Sequence, residues 1–334
     1  MKSREVRFAR RPEGGVGAHT FEVVETAIRE PQEGELIIRN LWMSVDPYMR
    51  LPLTDMAGSS ANRKIGETML GDAVGVVVQS RNPSFPEGAI VVSRKGWREA
   101  YVSSGEDLEQ VDPNVRSLSW YVGILGLIGI TAFAGVEFVL QPQAGETIYV
   151  SAAAGAVGQV ACQLAKRRGC RVLATAGSDE KVDWLMSEIG VDAAANYRTA
   201  DVEAFLRQQC PQGLDIYFDN VGGRTLDAAL RSLRVFGRAG VCGAISQYNS
   251  DNYRRGPEDF FSIIEKGLTV TGFSSRIYRA RSGEILPPLR AMLESGELKW
   301  TETEVNGIEN APAAFASLFD GSNLGKVVVR LSEL

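Results

Sequence analysis

The stretch Ser151–Gly158 (SAAAGAVG) carries glycines at a spacing that suits a phosphate-binding turn. It is a variant of the G-x-G-x-x-G pattern, with Ala153 in the first position, followed by Gly155 and Gly158. A small first residue permits the tight turn, Gly155 lets a pyrophosphate approach the backbone, and Gly158 lets the next helix pack on a sheet. The free amides and positive dipole end of that helix attract an anion. The pattern therefore predicts a dinucleotide site.

The residues after the second predicted strand indicate which dinucleotide is bound. Residues 174–178 (ATAGS) contain no carboxylate, whereas a domain that prefers NAD usually has an acid there to bind the ribose hydroxyls. Ser178 is the predicted N-cap of the next helix, and Lys181 lies in its first turn. A cation there opposes the helix dipole by about 0.3–1 kcal/mol, and a bound 2′-phosphate would compensate. Lys181 thus favours NADP(H); the alternative is a solvated surface lysine.

Residues that bind metal ions are few and scattered. The four cysteines are Cys162, Cys170, Cys210 and Cys242, with no C-x-x-C pair, and His19 is the single histidine. Because zinc needs three or four converging ligands, we expect free thiols and no metal.

Composition restricts the remaining classes of function. The net charge of -5 over 334 residues gives no basis for nucleic-acid binding. The first residues lack the apolar core of a secretion signal. The uncharged stretch Trp120–Val136 is shorter than the roughly 20 residues that cross a bilayer, so it predicts a buried helix or helix pair. We expect a cytoplasmic protein with no membrane partner.

From about Glu146 the pattern of apolar residues alternates between strands and helices. The predicted strands are Thr147–Val150, Arg171–Thr175, Ala193–Asn196, Asp215–Phe218, Arg238–Cys242 and Leu268–Thr271, and the predicted helices are Val157–Arg168, Asp179–Ile189, Val202–Gln209 and Arg224–Leu233. Apolar strands joined by helices predict an α/β fold, a doubly wound parallel Rossmann sheet covered on both faces.

The first 120 residues read instead as β-rich, which suits a small barrel or twisted sandwich. The strands predicted here are Thr20–Val24, Glu35–Val45, Ala73–Val78 and Ala89–Val92. A further strand, Lys326–Leu331, is predicted near the end of the chain, and the sequence leaves open which domain it joins.

Several strings resemble one known family. They are Ser44–Arg50 (SVDPYMR), Gly129–Ala132 (GITA), Ser151–Gly158, Ala176–Lys181 (AGSDEK), Tyr217–Gly223 (YFDNVGG), Cys242–Asn249 (CGAISQYN) and Asn323–Lys326 (NLGK). Over nearly its whole length the chain resembles the zinc-independent medium-chain dehydrogenase/reductases. More closely, it resembles their prostaglandin reductase and alkenal double-bond reductase family, which includes curcumin reductase.

The resemblance implies a domain organisation and a set of cofactor contacts. It implies a GroES-like catalytic domain over residues 1–125, to which residues 298–334 return, and a Rossmann domain over residues 126–297. It implies NADP(H) contacts at Gly155, Ala156, Val157, Gly158, Lys181, Tyr197, Asn220, Cys242, Gly243, Ala244, Ile245, Ser246, Gln247, Tyr248, Phe273, Ser274, Ser275 and Asn323.

The family reduces the carbon–carbon double bond of α,β-unsaturated ketones and aldehydes. A hydride from NADPH reaches the β-carbon, an enolate oxygen develops, and the α-carbon is protonated. The resemblance makes Tyr48 our first candidate for the hydrogen-bond donor to that oxygen, with a packed tyrosine as the alternative. Thr131 is expected near the nicotinamide ribose or, alternatively, as a core threonine. Tyr248 and Tyr253 are expected to line the substrate cleft.

Two further side chains, Met49 and Trp97, are candidate apolar walls, although core packing is favoured for Trp97. Many family members have a tyrosine where this chain has Glu265, and an ionised carboxylate cannot donate a hydrogen bond to an enolate. Glu265 therefore points away, is protonated, or marks another substrate.

Two alternatives to an enone reductase remain open on the sequence. One is an NADPH quinone reductase, since quinones need little acid assistance. The other is a non-catalytic, crystallin-like NADPH-binding protein. We expect a small-molecule partner and a homodimer, because the strand near Leu268–Thr271 would be an exposed sheet edge.

Overall fold

The computed structural model describes residues 1–54, 62–250 and 256–334, so the predicted cleft residue Tyr253 lies outside the described residues. Contacts divide the chain into two units. Unit 1 comprises Met1–Gly123, Glu302–Asn323 and Val327–Leu334. Unit 2 comprises Ile124–Thr301 and Leu324–Lys326.

Strands account for most of unit 1 and for the centre of unit 2. In chain order they are β1 (Lys2–Phe8), β2 (Phe21–Ala27), β3 (Leu36–Ser44), β4 (Ala73–Ser80), β5 (Ile90–Ser93), β6 (Ala100–Ser103), β7 (Glu109–Gln110), β8 (Thr147–Val150), β9 (Arg171–Ala176), β10 (Ala193–Asn196), β11 (Leu214–Asp219), β12 (Leu233–Val241), β13 (Thr269–Gly272), β14 (Glu302–Asn306) and β15 (Lys326–Arg330).

The α-helices fall mainly in unit 2. They are α1 (Leu127–Phe133), α2 (Ala156–Arg167), α3 (Asp179–Trp184), α4 (Val202–Gln209), α5 (Gly223–Ser232), α6 (Phe261–Glu265), α7 (Ser275–Tyr278), α8 (Ser282–Glu294) and α9 (Ala311–Asp320). Short 3₁₀ segments include Pro47–Leu53 and Leu118–Val122, and π-helical turns extend α1 over Ala134–Leu140 and α3 over Leu185–Ile189.

Unit 1 is built on a sheet with the order β14-β15-β3-β4-β5-β7, and β6 also pairs with β3. β15 runs antiparallel to β3, with Val328 opposite Ser44, so the last predicted strand joins the N-terminal strands. The core contains the Trp97 ring, which stacks on Phe21 with centroids 5.6 Å apart. Trp97 is fully buried and Met49 is 2% exposed, so both pack in this core.

Unit 2 has a six-stranded sheet with the order β10-β9-β8-β11-β12-β13, and its neighbouring strands are parallel. This is the doubly wound Rossmann order, in which strands are added on one side of β8 from β8 to β10 and on the other side from β11 to β13. Every residue of β11 is buried, as expected for a strand covered on both faces. The predicted strands and helices of this region are present with two differences. The strand predicted over Arg238–Cys242 already begins at Leu233, where the preceding helix was predicted to end, and the helix predicted over Asp179–Ile189 ends in a π turn.

The uncharged stretch Trp120–Val136 forms the short helical segments expected of it. Gly129 lies where α1 crosses the preceding turn, and a Cβ there would be 1.9 Å from the Ile124 carbonyl oxygen. Only glycine fits this approach. Among the described residues, no helix has both the length and the apolar character needed to cross a membrane.

Candidate functional site

The phosphate loop connects β8 to α2 with the geometry that its glycines predict. The first hydrogen bond of the helix runs from the Gln159 amide to the Gly155 carbonyl oxygen at 3.1 Å, so the preceding amides of the first turn face outward from the helix end. A Cβ on Gly158 would lie 2.4 Å from the carbonyl oxygen of Ala152. On Gly155 it would meet only that same oxygen, at 3.1 Å. Gly158 is thus required for packing, whereas Gly155 leaves space beside the loop.

A distant segment of the chain pairs with this loop. The Gly325 amide donates to the Ala154 carbonyl oxygen at 2.9 Å, and Gly325 forms a parallel bridge with Gly155. Gly325 has φ +65°, and a Cβ there would lie 2.1 Å from the Thr301 carbonyl oxygen. Asn323, a predicted cofactor contact in unit 1, directly precedes this segment.

The residues predicted to select NADP(H) lie together at the ends of β9 and β10. Ser178 caps α3 as expected, accepting a hydrogen bond from the Lys181 amide at 3.3 Å. The Tyr197 amide donates to the Ala176 carbonyl oxygen at 3.0 Å. A Cβ on Gly177 would be 2.9 Å from the Tyr197 hydroxyl, so glycine lets the ring approach the turn. A half-buried lysine and an exposed tyrosine thus flank one short turn.

At the end of β11 a buried carboxylate organises the turn that carries Asn220. One oxygen of Asp219 accepts hydrogen bonds from the Val221 amide at 2.8 Å, the Gly222 amide at 2.9 Å and the Tyr217 hydroxyl at 2.5 Å. The Asn220 side chain donates to the Ser151 carbonyl oxygen at 2.7 Å. These bonds tie the end of β11 to the start of the phosphate loop.

The electrostatics of Asp219 are dominated by desolvation. Its side chain is fully buried, and its second carboxylate oxygen has no hydrogen-bond partner among the described residues. Burial raises the pKa of Asp219 above its ordinary value, although the bonds from Gly222 and Tyr217 oppose the shift. Asp219 was not among the residues predicted from the sequence. The signals for it are its place directly after the strand predicted over Asp215–Phe218 and its position in the string Tyr217–Gly223, directly before Asn220.

The predicted contacts after β12 and β13 form two further turns at the same edge of the sheet. The Cys242 thiol donates to the Asn220 side-chain oxygen at 3.2 Å, and burial raises the pKa of that thiol. Tyr248 folds back so that its hydroxyl accepts a hydrogen bond from the Ala244 amide at 3.2 Å. The Phe273 amide donates to the last residue of β12.

These positions share one feature, because each follows the carboxyl end of a parallel strand, where ligands of such sheets bind. The residues that directly follow or lie just beyond β8 to β13 are Gly155, Lys181, Tyr197, Asn220, Cys242 and Phe273. The sheet therefore brings the predicted cofactor contacts of unit 2 together at the carboxyl ends of its strands.

Tyr48, the predicted donor, lies in unit 1 on the 3₁₀ segment that follows β3. Its hydroxyl has no hydrogen-bond partner among the described residues. Burial raises the pKa of Tyr48 well above its ordinary value, and the carboxylates of Asp46 and Asp72 add to the shift, while the Arg94 guanidinium opposes it. The side chain therefore stays protonated at neutral pH.

Two other predicted positions have simpler surroundings. The Thr131 hydroxyl donates to the Leu127 carbonyl oxygen one turn earlier at 2.8 Å, so its proton is already engaged. This is the bond that the alternative of a core threonine predicts; a role near the nicotinamide ribose stays a prediction. Glu265 is exposed at the end of α6, and its three alternatives stay predictions.

The donor set does not fit a zinc ion. Among the residues that the structure describes, no group of three His, Cys, Asp or Glu side chains converges to hold a metal. The four cysteines are all free.

Comparison with known proteins agrees with the fold and with NADP(H) as the cofactor. Residues 4–111 match the family model described as the N-terminal domain of oxidoreductase, and residues 156–285 match the one described as zinc-binding dehydrogenase. The chain is 41% identical to prostaglandin reductase 1 of Bos taurus over 93% of each chain. It is 40% identical to the NADP(+)-dependent 2-alkenal reductase of Nicotiana tabacum, over 89% of this chain and 88% of that one.

A solved structure gives the same result in three dimensions. The crystal structure of CurA from Vibrio vulnificus in complex with NADPH has a TM-score of 0.93 to this chain and 35% sequence identity, over 99% of this chain and 100% of that one. The strand order of unit 2, its glycine loop and these sequence identities all indicate the same family. This chain therefore belongs to the zinc-independent medium-chain dehydrogenase/reductases, in the family of the prostaglandin and 2-alkenal reductases.

Proposed function

We propose that the protein reduces the carbon–carbon double bond of α,β-unsaturated ketones and aldehydes with NADPH. The observation that carries the proposal is at the carboxyl ends of the unit 2 strands, where the phosphate loop, Lys181 and Tyr197 follow three neighbouring strands. The functions of the prostaglandin and 2-alkenal reductases named above support the same reaction.

The residues of unit 2 account for cofactor binding. The outward-facing amides at the start of α2 suit the pyrophosphate, and Gly155 leaves the space for its approach. The Lys181 ammonium and the Tyr197 hydroxyl suit a 2′-phosphate, which NAD lacks. When bound, NADPH supplies the hydride for the substrate β-carbon, and the protein supplies orientation and electrostatics.

Tyr48 is proposed to donate a hydrogen bond to the enolate oxygen that develops on the substrate. Its hydroxyl lacks a partner among the described residues, and its raised pKa keeps the proton in place at neutral pH. The raised pKa favours the protonated hydroxyl, the form that can donate a hydrogen bond to the oxygen. The α-carbon then takes its proton from another source, such as water.

The test is NADPH oxidation by the wild type and Tyr48→Phe with enones, enals and quinones, together with identification of the bond that is reduced. Tyr48→Phe should lower kcat on enones about 100-fold, the usual effect of losing one oxyanion donor, and affect quinones much less. Met49→Leu, a buried neighbour on the same segment, is the matched control and should retain activity.

The outcomes separate the candidate functions. Turnover of quinones with none of enones would replace the proposal by a quinone reductase. NADPH binding with no oxidation by any of these electrophiles would leave a crystallin-like binding protein. Enone turnover that is equal in wild type and Tyr48→Phe would remove Tyr48 as the donor.

We also propose a homodimer that forms through β13. This strand is last in the sheet order among the described strands, and all of its residues are exposed. Exposed apolar side chains occur on β12, on β13 and on the segments just before and after β13: Phe236, Phe260, Phe261, Ile264, Val270 and Ile277. An exposed edge with apolar neighbours favours pairing with a second copy.

The domain boundaries near residues 125 and 298, and the cytoplasmic location, stay predictions.

A further inference from the structure

The side chain of Gln159 is fully buried in the first turn of α2, and it makes both of its hydrogen bonds to one distant residue. Its amide nitrogen donates to the Thr301 carbonyl oxygen at 3.1 Å, and its oxygen accepts from the Thr301 amide at 3.0 Å. This two-way pairing is the one that a neighbouring strand would make. It fixes the position of Thr301 on α2.

Thr301 in turn holds the segment that pairs with the phosphate loop. Its carbonyl oxygen also accepts a hydrogen bond from the Lys326 amide at 3.0 Å. Gly325, next in the chain to Lys326, donates to the Ala154 carbonyl oxygen of the loop. The side chain of Gln159 also lies directly beside Gly325, since a Cβ there would be 3.1 Å from the Gln159 amide nitrogen.

These contacts form a closed circuit within unit 2. It runs from the phosphate loop to α2, to Thr301, to Leu324–Lys326 and back to the loop. The chain leaves unit 2 after Thr301 and again after Lys326, and it re-enters at Leu324, directly after Asn323. A change in the position of Thr301 therefore moves Leu324–Lys326, the segment that follows Asn323, relative to the phosphate loop.

We propose that Gln159 is a positioning residue for NADP(H). Its side chain is fully buried, so we infer that it acts through Thr301 and not by contact with the cofactor. Through Thr301 it holds Leu324–Lys326 against the phosphate loop, and so sets both the loop and the backbone that carries Asn323 in the binding conformation. The proposal rests on the NADP(H) assignment made above and deepens it.

The chain offers a matched control one helical turn further along. Gln163 makes the same pair of bonds with Lys299: its amide nitrogen donates to the Lys299 carbonyl oxygen at 2.9 Å and its oxygen accepts from the Lys299 amide at 2.8 Å. This pair stabilises the same segment but does not include Thr301 or the loop. Gln163 also donates to the Gln159 carbonyl oxygen at 2.9 Å. Each of Gln159→Met and Gln163→Met therefore removes a two-way pair of bonds to this segment, but only Gln159→Met removes the pair that holds Thr301.

The experiment measures the Kd of NADPH by fluorescence, together with thermal stability without cofactor, for wild type and both variants. Gln159→Met should raise the Kd roughly tenfold, the effect of two ordinary buried hydrogen bonds, and leave kcat at saturating NADPH unchanged. Gln163→Met should change the Kd less than twofold, even if it lowers the melting temperature. A normal Kd for Gln159→Met, or equal Kd values for the two variants, would overturn the proposal.

A measurement on the wild type covers the case in which Gln159→Met does not fold. Amide hydrogen exchange at Thr301, Gly325 and Lys326 should slow when NADP⁺ is added, because cofactor on the loop stabilises the whole circuit. Exchange unchanged at these amides, with protection confined to the loop, would overturn the proposal. Absence of any NADPH binding by the wild type would instead refute the cofactor assignment itself.

Discussion

The two glycines of the phosphate loop should respond differently to the same substitution. In Gly158→Ala the new Cβ would lie 2.4 Å from the Ala152 carbonyl oxygen and 2.6 Å from the Ala153 Cα. Carbon atoms pack at about 3.5–4.0 Å, so α2 and the loop must separate by roughly 1 Å. Overpacking of this kind costs about 1–3 kcal/mol of folding free energy.

Gly155→Ala meets much less resistance in the protein itself. Its Cβ would approach one oxygen at 3.1 Å, and its φ of -85° is open to any residue. The change in folding free energy should stay within about 0.5 kcal/mol, because alanine at a compatible φ also restricts the unfolded chain. The methyl group would instead fill the space proposed for the pyrophosphate, so the Kd of NADPH should rise tenfold or more.

Urea unfolding without cofactor, followed by NADPH titration of the folded variants, measures both effects. Gly158→Ala should unfold at clearly lower urea, whereas Gly155→Ala should unfold near the wild-type midpoint and bind NADPH weakly. The reasoning fails if Gly155→Ala binds NADPH as tightly as wild type, or if the two variants lose equal stability.

Three other expectations follow from single side chains. Lys181→Ala should raise the Kd of NADPH at least tenfold and leave that of NADH unchanged, with Lys166→Ala as a control; equal weakening of both cofactors would contradict the 2′-phosphate assignment. Val270→Lys should convert the proposed dimer to a monomer in sedimentation, whereas the control Val78→Lys, at another exposed strand position, should not. If Val270→Lys remains a dimer, the dimer does not form through β13. Burial raises the pKa of Asp219 above 3.8, so the folded state favours the protonated carboxyl, and wild-type stability is lost as pH rises through the folded pKa. The urea midpoint of Asp219→Asn should therefore rise relative to that of the wild type from about pH 4 to 7. A constant difference between the two midpoints would show that Asp219 does not titrate in this range.

Local patterns were sufficient to predict most of the fold. The apolar runs of β8 to β13 and the spacing of α2 are properties of short segments, and the structure has them nearly as predicted. The N-cap at Ser178 was equally readable, because capping needs only a hydroxyl and the amide three residues later.

Long-range pairings were not predictable in this way. Nothing in the sequence near Gln159 indicates a bond to Thr301, and the partner of β15 depends on the register between distant strands. Periodicity also cannot distinguish an apolar wall from a core position, and Met49 was left open for that reason. Asp219 was missed because a carboxylate at a strand end usually indicates exposure, whereas here it is enclosed by backbone amides.

The place of β15 in the unit 1 sheet has a consequence for folding during synthesis. β15 lies between β14 and β3, so the sheet cannot be completed until the last of its strands has been translated, long after β3. Until then the Trp42–Ser44 part of β3 has an unpaired edge, the kind of surface on which nascent chains associate wrongly. Unit 2 is nearly continuous in the chain and can fold first. Its contact between Thr301 and Lys326 then brings β14 and β15 together, which shortens the loop that remains to be closed. We therefore expect unit 2 to fold before the sheet of unit 1 is completed.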